Sequence, residues 1–159
     1  MMTTEKLLEM IANLKTREEC EALTKNINNG SANRDKDTLL VAINKQKIRL
    51  KTATYSSLNP SLMSEVEIEC VEAVHAYEEV LSLKNKKHTK ANRTWPMLKA
   101  KGIIPAVESI VINREDAAGY RLLVEMGLAN LSFEAVVCRN PSVFSAEAVR
   151  IAEERLNAS

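Results

Sequence analysis

Apolar residues recur along the chain at intervals of three and four positions, the spacing that places side chains on one face of an α-helix. The longest such pattern runs from residue 64 to about residue 83, and Ser64-Glu-Val-Glu67 forms a capping box at its start. No segment alternates apolar and polar residues as a half-buried strand does. The pattern predicts an all-α fold, a compact bundle of about eight or nine mostly short helices with one long central helix. The stripe expected on that helix is Val66, Cys70, Val74, Tyr77 and Leu81.

Polar caps and helix breakers divide the rest of the pattern. Thr16-Arg-Glu-Glu19 predicts a second capping box, and Pro105 is expected to open a helix over 106–112. Helix ends are expected at Asn29-Gly30, Gly102, Gly127 and Asn140-Pro141. Further N-terminal caps are predicted at Thr3 or Thr4, Thr94, Asn113, Ser132 and Ser145.

The clearest interruption lies at residues 53–63, where Ser, Asn and Pro cluster without helical periodicity. This interruption predicts an N-terminal three-helix segment over residues 1–55, a linker over 56–63 and a C-terminal helical domain over 64–159. The total of 159 residues is enough for a real hydrophobic core without disulfides or metals.

Composition narrows the class of protein. Hydrophobic content of 45% and charged content of 27% are typical of a soluble globular protein, and 4% aromatic residues leave an aliphatic core. The opening residues lack a signal peptide's apolar region, and no apolar run approaches the ~18 residues of a membrane span. The three cysteines are widely spaced, which favours reduced thiols. We therefore expect a cytoplasmic protein with no membrane partner.

The net charge is only +1, yet charge is strongly segregated along the sequence. Residues 84–101, the basic segment, hold seven Lys or Arg, one of two histidines, the only tryptophan and no acid. Residues 65–79, just before it, hold six glutamates and no Lys or Arg. The basic segment could bind a phosphate backbone, or it could fold back on the acidic helix beside it.

The nucleic-acid hypothesis assigns a role to each polar side chain of the basic segment. Trp95 or His88 would stack on an unpaired base, and Asn85 or Asn92 would reach phosphates or base edges. The alternative makes Trp95 a core anchor and the lysines a solvated helix end. Phosphate contacts are predicted for Lys84, Lys86, Lys87, Lys90, Arg93, Lys99 and Lys101, joined by a second basic group, Lys45, Lys47, Arg49 and Lys51.

Other chemistry is weakly indicated. Residues 94–112 have the outline of a helix-turn-helix, but the second helix has almost no side chain able to read base edges, so a buried αα-hairpin is favoured. Glu72 and His75 give a single Glu-x-x-His spacing, whereas carboxylate-bridged metal bundles need two. An enzyme using His75 is the third hypothesis. We expect no catalytic residue, metal or cofactor.

Much of the chain also resembles a known family. The segments AVHAYEEVL, TKANRTWPMLKAKGIIPAVE, GYRLLVEMGL, FEAVVCRNP and FSAEAV, with REECEALTKNI near the start, resemble a family of small bacterial proteins whose activity is uncharacterised. The resemblance implies an all-helical fold. It carries no activity, ligand or catalytic residue to this chain.

Together these observations predict a non-enzymatic nucleic-acid-binding protein, with DNA as the favoured partner. The alternative is a protein-protein interaction or self-associating regulatory module that uses the acidic helix 65–79 and forms a homo-oligomer. A second surface for that alternative is an apolar patch from Ile103-Ile104 and from Leu128 to Phe133.

Overall fold

A computed structural model describes residues 3–29, 35–53, 63–113 and 118–158 of the chain. Those residues form nine α-helices and one 3₁₀ turn and contain no strand, which confirms the all-α prediction. The helices are α1 (Thr4–Ala12), α2 (Arg17–Asn29), α3 (Lys36–Ala53), α4 (Glu65–Asn85), α5 (Thr94–Lys101), α6 (Ile103–Asn113), α7 (Ala118–Glu125), α8 (Phe133–Arg139) and α9 (Ala146–Ala158), with the 3₁₀ turn at Ala129–Leu131.

The chain divides into two compact units, Met1–Tyr55 and Ser56–Ser159. We call them the N-terminal and C-terminal units. The linker predicted at 56–63 lies outside the described residues except for Met63.

In the N-terminal unit, α1 and α2 both pack on α3. The fully buried side chains are aliphatic or small, as the low aromatic content requires, and partly buried leucines and isoleucines surround them. The α1–α2 connection is held by Gln46 of α3, whose side-chain amide nitrogen Nε2 donates to the carbonyl of Leu14 at 2.9 Å. The core residues are Ile11, Cys20, Leu39 and Ile43.

Both predicted caps of this unit are present, one in altered form. Thr3 caps α1 by accepting a hydrogen bond from the amide of Lys6 at 3.2 Å. Thr16 accepts from the amide of Glu19 at 3.1 Å, as a capping box requires. The Glu19 carboxylate, however, accepts from the amide of Lys15 at 3.1 Å. The reciprocal bond is therefore made one residue earlier than the capping box predicted.

In the C-terminal unit, α4 contacts α6, α7, α8 and the 3₁₀ turn, while α9 packs on α6 and α8. The capping box at Ser64 is confirmed by reciprocal bonds of 3.2 Å and 3.0 Å with Glu67. An ion pair joins α8 to α9, where Arg155 lies 3.8 Å from the buried carboxylate of Glu134. Helix α4 runs two residues past the predicted end at Leu83.

Helix α4 is buried on more sides than its sequence suggested. Of the predicted stripe, Cys70 and Val74 are buried, while the other three residues are half-buried. Glu78 and Glu79, which are not part of the predicted stripe, are each only 2% exposed. Helices packed around α4 bury polar positions that would face solvent on a two-layer helix.

Some of the N-terminal caps predicted for helices of the C-terminal unit are present, and others are not. Ser132 and Ser145 do cap α8 and α9, accepting from the amides of Ala135 and Ala148 at 3.1 Å and 3.2 Å. Thr94 is instead the first residue of α5, and Asn113 is the last residue of α6. Helix α6 begins at Ile103, so the proline predicted to open it stands inside the first turn.

No helix in the described part of the chain is long and apolar enough to cross a membrane.

The cysteines are free thiols, and Cys70 is fully buried in α4. Burial raises the pKa of the Cys70 thiol to about 12, with Glu69 and Glu67 acting in the same direction. The folded unit therefore keeps this proton while an unfolded chain begins to lose it near pH ~8.5. The resulting contribution to stability is complete below that pH and is lost as pH rises toward 12.

We expect Cys70 to react with a thiol reagent at pH 8 only as fast as the C-terminal unit unfolds, because the thiolate is the nucleophile. The measurement is the labelling rate of a Cys20→Ala, Cys138→Ala variant across a urea series. The labelling rate should rise in parallel with the unfolded fraction. Rapid labelling without urea would contradict the prediction.

Candidate nucleic-acid interface

The basic segment begins where α4 ends. Lys86 adopts the left-handed conformation, with φ of 57°, and turns the chain out of the helix. The loop then folds back on the last turns of α4, where the Ser82 hydroxyl accepts from the amide of Thr89 at 2.9 Å. The Asn85 side chain donates to the Thr89 hydroxyl at 3.2 Å. Hydrogen bonds therefore hold residues 86–89 against the C-terminal end of α4.

A buried carboxylate anchors the next part of the basic segment. One oxygen of Glu78, Oε2, accepts from the backbone amide of Ala91 at 2.8 Å and from the indole Nε1 of Trp95 at 2.7 Å. The carbonyl of Ala91 accepts in turn from the amide of Trp95 at 3.2 Å. Hydrogen bonds to an ionised oxygen are stronger than neutral ones, so Glu78 fixes both the loop and the start of α5.

Trp95 is half-buried, and its ring packs against His75 of α4, with centroids 5.0 Å apart and planes inclined at 52°. With its N–H bonded to Glu78, this side chain has the contacts of the core anchor that the sequence allowed as an alternative to base stacking. His88, the other predicted stacking residue, is exposed. His75, which the enzyme hypothesis would use, is buried.

The cations of the basic segment point into solvent. In the part of the chain that the structure describes, none of their side chains makes an ion pair within 4 Å, and Asn92 is exposed among them. The segment has folded back on the acidic helix, but through Glu78, backbone amides and Trp95 rather than through its cations. The exposed cations are Lys84, Lys86, Lys87, Lys90, Arg93, Lys99 and Lys101.

The second basic group belongs to α3 in the N-terminal unit. Arg49 is exposed, Lys45 and Lys51 are half-buried, and Lys47 is buried. Residues at every second position of a helix point in different directions, so the four cations form no single stripe. Their participation in one surface with the basic segment stays a prediction.

A cleft of about 620 Å³ opens beside the anchored loop. Its exposed lining residues are polar or cationic, and its half-buried lining residues are mostly apolar. None of the described residues that line it is acidic. No local sequence pattern points to this cleft, because α4, α5 and α6 contribute to it together. The lining is Tyr77, Leu81, Lys90, Ala91, Asn92, Arg93, Thr94, Met97, Ser109, Ile110 and Asn113.

Gly119 of α7 sets the position of Tyr77 in this cleft. A Cβ atom at residue 119 would lie 2.5 Å from Cε2 of the Tyr77 ring, closer than such atoms approach. Only glycine therefore lets the Tyr77 ring pack directly against the α7 backbone.

We expect Gly119→Ala to destabilise the C-terminal unit by about 1–3 kcal/mol, the usual cost of overpacking. The measurement is urea unfolding followed by circular dichroism. In a Tyr77→Leu background the same substitution should cost much less, because the clashing ring is gone. An equal cost in both backgrounds would show that the ring does not set the requirement for glycine.

Other predicted sites take different roles in the structure. Helix α6 packs on α4, α5, α8 and α9, as expected for a buried hairpin partner rather than a groove-reading helix. Glu108 of α6 accepts from the amide of Ser145 at the start of α9. Among the described residues, no group of three or more His, Cys, Asp or Glu is placed to hold a metal ion.

The surfaces predicted for protein interaction are largely occupied. Glu78 and Glu79 are buried, and Glu69 pairs with Arg139 at 3.0 Å. Ile103, Leu128 and Phe133 of the apolar patch are buried, while Ile104 and Leu131 are half-buried.

No family model, curated protein or solved structure matches this chain. The resemblance to a bacterial family therefore stays a prediction.

Proposed function

We propose that this protein binds nucleic acid, without catalysis, through the phosphate contacts of the basic segment. The observation that carries the proposal is the set of seven exposed cations that make no ion pair within 4 Å in the described part of the chain. A charged group kept free in this way retains its full attraction for an external anion. The net charge of the chain is only +1, so solubility does not explain why seven cations lie in one segment. Binding of an anionic partner does explain it.

The fixed backbone of the basic segment also supports the proposal. Glu78 holds Ala91 and Trp95, and Ser82 holds Thr89, so Lys87, Lys90 and Arg93 extend from an ordered loop. Binding through an ordered loop avoids much of the entropy cost of ordering a flexible one. The contacting atoms are charged side-chain ends, which predicts weak sequence preference and strong salt dependence.

Trp95 acts in this proposal as a positioning residue for the loop. Its indole N–H and ring are already engaged by Glu78 and His75. His88 and Asn92 are exposed and remain available for contacts to bases.

The alternative of self-association through the acidic helix takes second place. It needs glutamates on the surface of α4, and of the six glutamates in residues 65–79 only Glu65 is exposed. Light scattering after size-exclusion chromatography at low and high salt tests it, because an electrostatic homo-oligomer should dissociate at high salt.

The test of the proposed function is binding of the purified protein, cleared of carried-over nucleic acid, to labelled single- and double-stranded DNA and RNA at 50 and 200 mM salt. Tight binding at the lower salt with a steep decline at the higher is the expected result. The same titrations compare DNA, the sequence-based prediction, with RNA. Absence of binding to all of them would overturn the proposal.

A further inference from the structure

The cleft beside the basic segment combines two kinds of surface that a nucleotide requires. Lys90 and Arg93 are exposed in its lining and carry positive charge, and Asn92 and Asn113 add amide groups. The half-buried part of its lining supplies an apolar surface from three helices, α4, α5 and α6. Its apolar residues are Tyr77, Leu81, Met97 and Ile110.

Size and charge narrow the class of ligand. A cleft of about 620 Å³ lies within the roughly 300–1,000 Å³ typical of small-ligand sites. Two cations and no acid in the described lining select an anion. A purely inorganic anion would leave the apolar surface unused, and a purely apolar ligand would leave two cations without a partner.

Tyr77 gives the cleft an aromatic surface beside α7. Its ring packs against the backbone at Gly119, where a Cβ atom would meet it at 2.5 Å. Aromatic rings bind nucleobases by stacking with little regard to sequence. A ring that already packs against a helix backbone loses less side-chain entropy when a base packs on it.

We infer that the cleft receives one unpaired nucleotide of a bound strand, an inference that rests on the proposed function. The base enters the apolar part between Tyr77, Met97 and Ile110. The phosphate beside it contacts Lys90 and Arg93, and the chain of the nucleic acid continues along the other cations of the basic segment. Duplex nucleic acid, whose bases are stacked and paired, offers its phosphates but no base to the cleft.

The test compares three labelled ligands of equal length at 50 mM salt: a 15-mer of thymidine, an abasic 15-mer and a 15-bp duplex. Anisotropy titrations give the three affinities. Because stacking contributes about 1–3 kcal/mol per base, we expect thymidine to bind about 5- to 150-fold more tightly than the abasic strand.

Two variants fill the cleft without altering charge, Met97→Trp and Ser109→Trp, and each is checked for native melting. A matched control, Asn26→Trp, adds the same ring to an exposed position of α2. Either filled cleft should bring thymidine binding down to the abasic value and leave abasic binding unchanged, while the control keeps the difference. Two filling positions guard against a local folding defect at one of them.

Each outcome has a distinct meaning. Equal affinity of the wild-type protein for the thymidine and abasic strands, with steep salt dependence, would overturn the inference and leave the proposed function standing. Base-dependent binding that survives both fillings would also overturn it, because the base would be bound elsewhere. No binding of any strand would overturn the proposed function and the inference with it.

Discussion

Replacing Lys87, Lys90 and Arg93 together with Ala is expected to weaken single-strand binding by about 30-fold at 200 mM salt and several hundredfold at 50 mM. The estimate takes one phosphate contact per side chain and a slope of about 0.7 per contact in a plot of log affinity against log salt. The loss grows as salt falls because each contact releases a condensed counterion. The variant should also lower the salt slope by about 2, for all sequences alike.

The matched control for this triple variant removes the same charge elsewhere. Lys6, Lys15 and Lys25 are exposed on or beside α1 and α2, and their replacement with Ala lowers the net charge equally. If binding depends on the basic segment, the control triple variant should keep a salt slope close to that of the wild type. Equal losses in the two triple variants would show that net charge, rather than the basic segment, determines affinity.

Glu78→Ala is expected to destabilise the C-terminal unit by about 3 kcal/mol. The substitution leaves the amide of Ala91 and the indole N–H of Trp95 without their acceptor, and each unpaired buried donor costs about 1–3 kcal/mol. Glu78→Gln keeps an acceptor oxygen but loses the charge, so we expect a cost of about 1 kcal/mol. Trp95 is the only tryptophan, so its fluorescence in a urea titration reports this unit directly.

The control for Glu78 is Glu125→Ala, which removes an exposed carboxylate at the end of α7 in the same unit. Its effect should stay within about 0.5 kcal/mol. Hydrogen exchange of the Ala91 amide supplies a second measurement, because that amide should exchange faster in Glu78→Ala even where the protein is folded. Wild-type urea resistance in Glu78→Ala would show that the anchor contributes nothing to stability.

The two predictions separate the effect of the loop's position on affinity from the effect of its cationic side chains. The lysine and arginine substitutions remove contacts with the ligand and leave the buried anchor intact. The Glu78 substitution leaves every cation in place and loosens the loop that carries Lys90 and Arg93. If the fixed loop matters for affinity, Glu78→Gln should bind less tightly than wild type while keeping its salt slope.

The sequence by itself determined the all-α class and most helix positions, because helical periodicity and capping are local properties. The capping box at Ser64 and the caps at Ser132 and Ser145 required only residues within three positions. It also identified the basic segment, since charge along a chain is visible without a fold. A local signal was inexact where two neighbouring donors competed, as at Glu19, whose carboxylate accepts from the amide of Lys15 rather than from that of Thr16.

Only the tertiary structure decided which polar residues are buried and what lies beside them. Glu78 and Glu65 look alike in sequence, but packing around α4 buries Glu78 and pairs it with donors 13 and 17 residues away. The cleft likewise combines side chains of α4, α5 and α6. Its tyrosine, Tyr77, packs against Gly119, which lies 42 residues further along the chain. Burial and convergence depend on how helices pack, and helix packing is set by contacts between residues far apart in the chain.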